Sequence, residues 1–210
     1  MAEHLWMPCA KREKQQVTRV SGLILVFPAR EPIHSTVDLV AMKRRSKKDF
    51  IGNFEWKSIK IEPLSQSHVL EIANDWHYET PYDFYDLKND PEDYAEIISP
   101  EARGNRYYQV MRKGKLYGFF CIEAKGEGAL ELGLGLKPEH CGKGQGAAFL
   151  HKILDFIAEK FAPQVLSLSV ADFNHRAQQL YLNMGFEVVR RIPRESNGDI
   201  YLFVEMKKSG

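Results

Sequence analysis

The run Glu131-Leu-Gly-Leu-Gly-Leu-Lys-Pro-Glu-His-Cys-Gly-Lys-Gly-Gln-Gly146 constrains the fold more than any other stretch of the chain. It reads as a strand, a turn, a glycine-rich loop and a helix start. Pro138 closes the strand because it has no N–H for the ladder. Gly142, Gly144 and Gly146 let the backbone curl with its N–H groups pointing inward. Ala147 to Ala158 then repeats apolar residues at helical spacing. Unpaired amides and the helix dipole together make such a loop an anion site, suited to phosphate.

Three ligand classes use a glycine loop at a helix start. A nucleoside triphosphate loop needs Gly-Lys followed by Ser or Thr, but Gly144 follows Lys143. The dinucleotide fingerprint is met by Gly142, Gly144 and Ala147, with Asp172 as a ribose acid. That loop normally follows the first strand of a longer parallel sheet. Here it lies two-thirds along the chain, with room after it for one strand–helix pair and a hairpin. The third class holds the pyrophosphate of coenzyme A.

The flanking elements fit a mixed sheet. Ser58 to Glu62 alternates like a strand, and Val69 to Trp76 continues as a helix after turn and N-cap residues. Pro91 to Ile98 reads as a short helix with Pro in its first turn. Arg106–Arg112 and Lys115–Glu123 are strands joined by the tight turn Lys113-Gly114. Ala129 to Leu136 is a third strand, entered through Gly126-Glu-Gly128. A helix follows over about 144–161, then the alternating strand Gln164–Ala171. Asn174–Met184 is an amphipathic helix closed by Gly185. Phe186–Arg191 and Ile200–Met206 form a last hairpin around Asn197-Gly198. The expected fold is α/β (α+β), with a mixed, mostly antiparallel sheet of about six or seven strands and helices on both faces. The expected domain covers 56–208.

Residues 1–55 lack sustained periodicity, and Pro8, Pro28 and Pro32 interrupt them. They are expected to form a basic, poorly ordered or loosely docked extension. Ser21–Ala29 is too short for a membrane span and reads as a strand or an apolar unstructured run rather than a signal core. Lys43–Lys48 reads as a solvated linker. The net charge of +1 names no partner, and nucleic acid and membrane are not expected as partners. The 44% hydrophobic content supports a core. Cys9, Cys121 and Cys141 offer neither a paired framework nor metal spacing, which fits a reducing, cytoplasmic setting without a metal.

Two separate motifs carry a family resemblance. Leu134 to Gly146 resembles the acetyl-CoA motif of the general-control-type N-acetyltransferase (GNAT) superfamily: Gln or Arg, any two, Gly, any one, Gly or Ala. Gly144 and Gly146 match its glycines, while Cys141 stands where Gln or Arg is usual. Asn174-His-Arg-Ala-Gln-Gln-Leu-Tyr-Leu-Asn-Met-Gly-Phe186 resembles the later Asn-x-x-Ala-x-x-x-Tyr-x-x-x-Gly-Phe motif. The aromatic stretch 76–86 resembles the acceptor side of bacterial members.

The resemblance implies an acetyl-CoA-dependent acyltransferase with strands splayed at the cofactor site. Cys141, Gly142, Lys143, Gly144, Gln145, Gly146 and Ala147 would hold the pyrophosphate end. Leu134, Gly135 and Leu136 would pair through backbone with the pantetheine arm. Gly133 and Gly135 fit a bulge there. Asn174 would contact the same arm and Ala177 would let it approach. Glu131 is the expected base for the amine proton and Tyr181 the expected acid for the departing thiolate. Period two puts Glu131, Gly133 and Gly135 on one face, where the carboxylate would meet open space.

Between Glu71 and Glu96 nine acids face a single lysine, and aromatics interleave them. Carboxylates and aromatic faces both attract ammonium groups, so Trp76, Tyr82 and Tyr85 are expected on the acceptor side. The acceptor is a primary amine of a small molecule or a protein, and a homodimer is left open. Acetyl transfer is expected to be direct rather than through a cysteine. The alternatives are a non-catalytic acyl-CoA-binding sensor and a dinucleotide-binding domain.

Overall fold

The computed structural model describes residues 58–210. The extension expected over 1–55, with Ser21–Ala29 and Lys43–Lys48, lies outside the described residues. Seven strands form one sheet: β1 (Ile59–Pro63), β2 (Tyr107–Arg112), β3 (Lys115–Ala124), β4 (Ala129–Leu136), β5 (Val165–Ala171), β6 (Glu187–Ser196) and β7 (Asp199–Ser209). Their order is β1-β2-β3-β4-β5-β7-β6. Every neighbouring pair is antiparallel except β4 with β5. Helix α1 (Gln66–Asp75) follows β1. Helices α2 (Pro91–Ile98) and α3 (Pro100–Arg103) precede β2, α4 (Gly146–Phe161) joins β4 to β5, and α5 (His175–Asn183) joins β5 to β6.

Turn chemistry fixes the registers. Lys113 and Gly114 have φ of 49° and 74°, and Asn197 and Gly198 have φ of 53° and 76°. Two successive positive φ values make the hairpin turn whose twist matches the strands it joins. Helix caps follow local chemistry as well. Ser65 accepts from the His68 N–H, and Asp90 accepts from Glu92 and Asp93 just before Pro91. Gly185, with φ of 87°, follows α5 and lets the chain turn into β6.

The sheet has helices on both faces because adjacent strand residues point opposite ways. Phe120, Ile122, Leu132, Leu134 and Leu136 pack with Phe149, Leu150, Ile153 and Ile157 of α4. Phe119 and Cys121 pack with Val69, Ile72 and Ala73 of α1. Each fully buried aliphatic or aromatic side chain contributes about 1.5–3 kcal/mol by leaving water. The Leu-Gly alternation of β4 thus drives its leucines into the α4 face and leaves its glycines toward α1.

The expected bulge at Gly133 and Gly135 is absent: β3 and β4 pair in continuous register from Gly118↔Leu136 to Ala124↔Leu130. Glycine is needed there for a different reason. A Cβ on Gly135 would stand 2.5 Å from the Phe119 ring. The ring lies over the strand where a side chain would be. The space beside Gly135 is therefore filled by Phe119 and is not open. Register shifts occur instead at Val110/Met111 in β2 and at Val188/Arg190 in β6.

Candidate active site

Strands β4 and β5 pair at only three positions, Ala129↔Val165, Leu130↔Leu166 and Glu131↔Ser167. Beyond Glu131 they diverge. Lys137 N–H donates to Tyr117 O in β3. Alternation then turns the amides of Gly133 and Gly135 toward β3, and those of Leu132, Leu134 and Leu136 toward the gap. The side chains of Leu134 and Leu136 are fully buried. Their contribution to the gap is an edge of backbone donors and acceptors.

At the far end of β4 the chain turns through Pro138–His140 into the glycine loop. Gly142 and Gly144 have φ of 74° and 70°, and Gln145, the N-cap of α4, is in the right-handed region. Alternating left- and right-handed residues aim successive N–H groups into one concavity. The Gln145 side chain makes no cap bond to α4, so the helix end stays open to an anion. Instead its Oε1 accepts from the Tyr117 hydroxyl and, at 3.4 Å, from Arg112 Nη1. The Arg112 guanidinium lies 5.3 Å from the Tyr117 ring centroid. This cation at the end of β2 escapes motif reading because it comes from a different strand. Lys143 and Gly144 are exposed, and nothing lies within 4 Å of a Cβ built on Gly144. The Cys141 thiol turns away from the loop toward the carbonyls of Leu136 and Lys137, at 3.6 Å from each. The residue in the Gln/Arg position thus offers the loop only its backbone.

Glu131 stands where the strands part. Its side chain is 12% exposed and meets Lys125 Nζ at 3.1 Å. Lys125 also reaches Glu123 Oε2 at 2.8 Å. Glu123 and Glu131 are paired across β3 and β4. Like charges placed opposite each other repel, and Lys125 offsets that repulsion. Ser169 Oγ lies 3.5 Å from Glu131 Oε1 and 3.4 Å from Arg194 Nη2. Burial raises the Glu131 carboxyl above its ordinary range, while Lys125 and then Arg194 pull it down. The net shift is upward. The cross-strand Glu123–Glu131 pair is the signal by which a nearby lysine could have been anticipated.

Helix α5 begins at the other wall of the gap. Asn174 caps it, accepting from Ala177 N–H at 3.1 Å. Asn174 Nδ2 also donates to the Tyr85 hydroxyl at 3.1 Å. Asn174, Ala177 and Tyr181 are all fully buried, and Tyr181 packs edge-on to Phe186 at 5.9 Å.

The aromatic stretch divides between roles. Trp76 is 4% exposed and packs on Phe119 at 5.6 Å, with its indole N–H buried without an acceptor. Tyr85 is buried, and Tyr82 is half-buried, 6.3 Å from Phe173. Trp76, Tyr78, Tyr85, Phe119 and Gly135 line a narrow crevice. Trp76 also borders an open groove of about 650 Å³ with Glu71, Asn74, Asp75 and Lys137. Lys137 Nζ bonds Glu71 at 2.8 Å, leaving Asp75 as the groove's other carboxylate. Among the described residues no group of His, Cys, Asp and Glu could hold a metal ion, and no helix is long and apolar enough to cross a membrane.

The geometry fits coenzyme A: a splayed pair, a backbone edge of suitable direction and an amide nest at an open helix end. A spermidine N-acetyltransferase from Vibrio cholerae, solved with CoA and spermine, has a TM-score of 0.57 at 20% identity. That match covers 73% of this chain and 96% of that one. A putative phosphinothricin N-acetyltransferase has a TM-score of 0.54 at 17% identity, over 72% of this chain and 98% of that one. Such identities establish the shared fold. No curated protein sequence matches the chain. The profile of the Acetyltransferase (GNAT) family matches residues 69–186, more than half of the chain, and spans both motifs and the strands between them. The chain therefore belongs to the acetyltransferase (GNAT) family and is an acetyl-CoA-dependent N-acetyltransferase.

Proposed function

We propose that the chain acetylates a primary amine of a small cationic molecule of the polyamine kind, by direct transfer, with Glu131 as base and Tyr181 as acid. The observation that carries this reading is the position of Glu131 at the last paired residue before the strands part. When bound, acetyl-CoA supplies the thioester acyl group. Gly142, Lys143, Gly144, Gln145, Gly146 and Ala147 hold its phosphates, with only the backbone of Cys141 contributing. Leu134 and Leu136 supply the strand edge for the pantetheine arm, with the backbone of Gly135 between them paired to β3, and Asn174 and Ala177 form the opposite wall.

An amine of pKa ~10 arrives protonated at neutral pH, so a proton must leave before attack. Glu131, raised by burial, accepts it directly or through water. Tyr181 returns a proton to the departing sulfur. Burial pushes the thiols of Cys121 and Cys141 up to about 12, which leaves little thiolate for a covalent route.

Two features support a cationic acceptor. Acids dominate the stretch 71–96. A protein of the same fold is a spermidine N-acetyltransferase. Trp76, Tyr82 and Tyr85 form the aromatic side of this acceptor region. The catalytic domain is proposed to run from 56 to 208, with 1–55 as an appended extension and a homodimer as the working assembly. Two buried free cysteines fit a reducing, cytoplasmic setting.

The Lys125–Glu131 ion pair favours one second reading, an acyl-CoA-binding sensor whose carboxylate is permanently engaged. Thiol release from acetyl-CoA across a panel of polyamines, aminoglycosides and lysine peptides separates the two. Release with spermidine or a similar amine is expected. Tight coenzyme binding with no release on any amine would favour the sensor.

A further inference from the structure

Tyr78 reaches into the gap between β4 and β5. Its hydroxyl donates to the Leu136 carbonyl at 3.0 Å. Leu136 is one of the residues whose backbone groups face the gap. The Tyr78 ring packs against both hydrophobic clusters, which lie on opposite faces of the sheet. Its hydroxyl therefore ends on the β4 edge that faces the gap. The opposite wall is held by the same segment, since Asn174 donates to the Tyr85 hydroxyl at 3.1 Å. One short segment therefore places a phenol on each wall of the gap.

The segment is clamped in that position. Asp86 accepts from the Tyr78 N–H at 2.9 Å through Oδ1 and lies 3.1 Å from His77 Nδ1 through Oδ2. Asn197, in the β6–β7 turn, donates to the Phe84 carbonyl at 2.8 Å. Tyr78 is too far from the chemistry to act in it. Leu136 lies five residues beyond Glu131, about 16 Å along an extended strand. That distance puts Tyr78 at the phosphate end of the pantetheine path.

We propose that Tyr78 is a built-in competitor for the coenzyme: its hydroxyl occupies, on the Leu136 carbonyl, the place of a pantetheine amide N–H and leaves when the arm seats. This rests on the coenzyme placement proposed above. No bond is made or broken; one hydrogen bond is exchanged for another.

The test is calorimetric titration of CoA into wild-type protein and Tyr78→Phe, with a structure of the wild-type–CoA complex. Removing the hydroxyl removes the competing bond and leaves the ring. Tyr78→Phe should bind CoA about three- to tenfold more tightly, the range set by one net hydrogen bond. In the complex a pantetheine amide should replace the Tyr78 hydroxyl on Leu136. Unchanged or weaker affinity in a folded Tyr78→Phe overturns the proposal and leaves the coenzyme placement standing. So does a complex that keeps the Tyr78–Leu136 bond, a result that holds even where the variant fails to fold. Absence of CoA binding in both proteins refutes the coenzyme placement, and the proposal falls with it.

Discussion

Glu131 and Ser167 form the last residue pair that joins β4 to β5. One residue further the two strands separate, and a backbone edge replaces a strand ladder. The carboxylate therefore sits at the apex of the gap, held by Lys125 on one side and next to Ser169 on the other.

That placement gives a pH signature. Burial lifts the Glu131 carboxyl above the ordinary glutamate range, and Lys125 opposes the lift. A base works when deprotonated, so kcat/KM should fall as pH drops through the raised value. Removing Lys125 takes away its opposing pull, and the acid limb in Lys125→Ala should move to higher pH. A pH–rate profile of the variant checks this. A limb that stays in place would mean that another group sets it.

Tyr181 is fully buried at the α5 wall. Tyr181→Phe keeps the ring and its packing on Phe186 but removes the transferable proton. With Tyr181 as the proposed acid, kcat should fall by about 10²-fold or more, with coenzyme affinity close to wild type. Steady-state kinetics beside a CoA titration distinguish this from a folding defect.

Two glycines should fail in different ways. Gly144 has φ of 70° with open space around its missing Cβ. In Gly144→Ala the left-handed backbone costs about 1–2 kcal/mol; the exposed loop relieves it by leaving the nest geometry when no coenzyme is bound, so CoA binding weakens while the melting temperature changes little. Gly135→Ala drives a Cβ to 2.5 Å from the Phe119 ring. Overpacking of that kind costs about 1–3 kcal/mol, so this variant should lose thermal stability. Paired melting curves and CoA titrations read both outcomes.

The proposed direct transfer makes the thiols dispensable. Burial pushes both Cys121 and Cys141 up to about 12, and Cys141 faces the end of β4 rather than the loop. A folded Cys121→Ala, Cys141→Ala double variant should retain turnover. Abolished turnover with intact coenzyme binding would point to a covalent acetyl-cysteine step.

What the sequence made legible follows one rule: features set by neighbours in the chain could be read, and features set by distant partners could not. The Lys113-Gly114 and Asn197-Gly198 turns, the Leu-Gly alternation of β4 and the Gly142–Gly146 loop are local, and all appear where expected. The Phe119 ring over Gly135 depends on the β3–β4 register, so the glycines looked like a bulge instead. Lys125 partners Glu131 because Glu123 stands across from it, a placement set by the β3–β4 register and not by chain neighbours. Tyr78 and Leu136 are 58 residues apart, and no spacing rule joins them.

The most direct measurement is thiol release from acetyl-CoA in the presence of spermidine or the best amine of the panel, for wild type and Glu131→Gln. The amide keeps the size of the carboxyl but cannot take a proton. With Glu131 as the base, kcat falls by about 10²–10⁴-fold while coenzyme affinity is unchanged. An undiminished kcat in Glu131→Gln would contradict the assignment of catalysis to the point where β4 and β5 part.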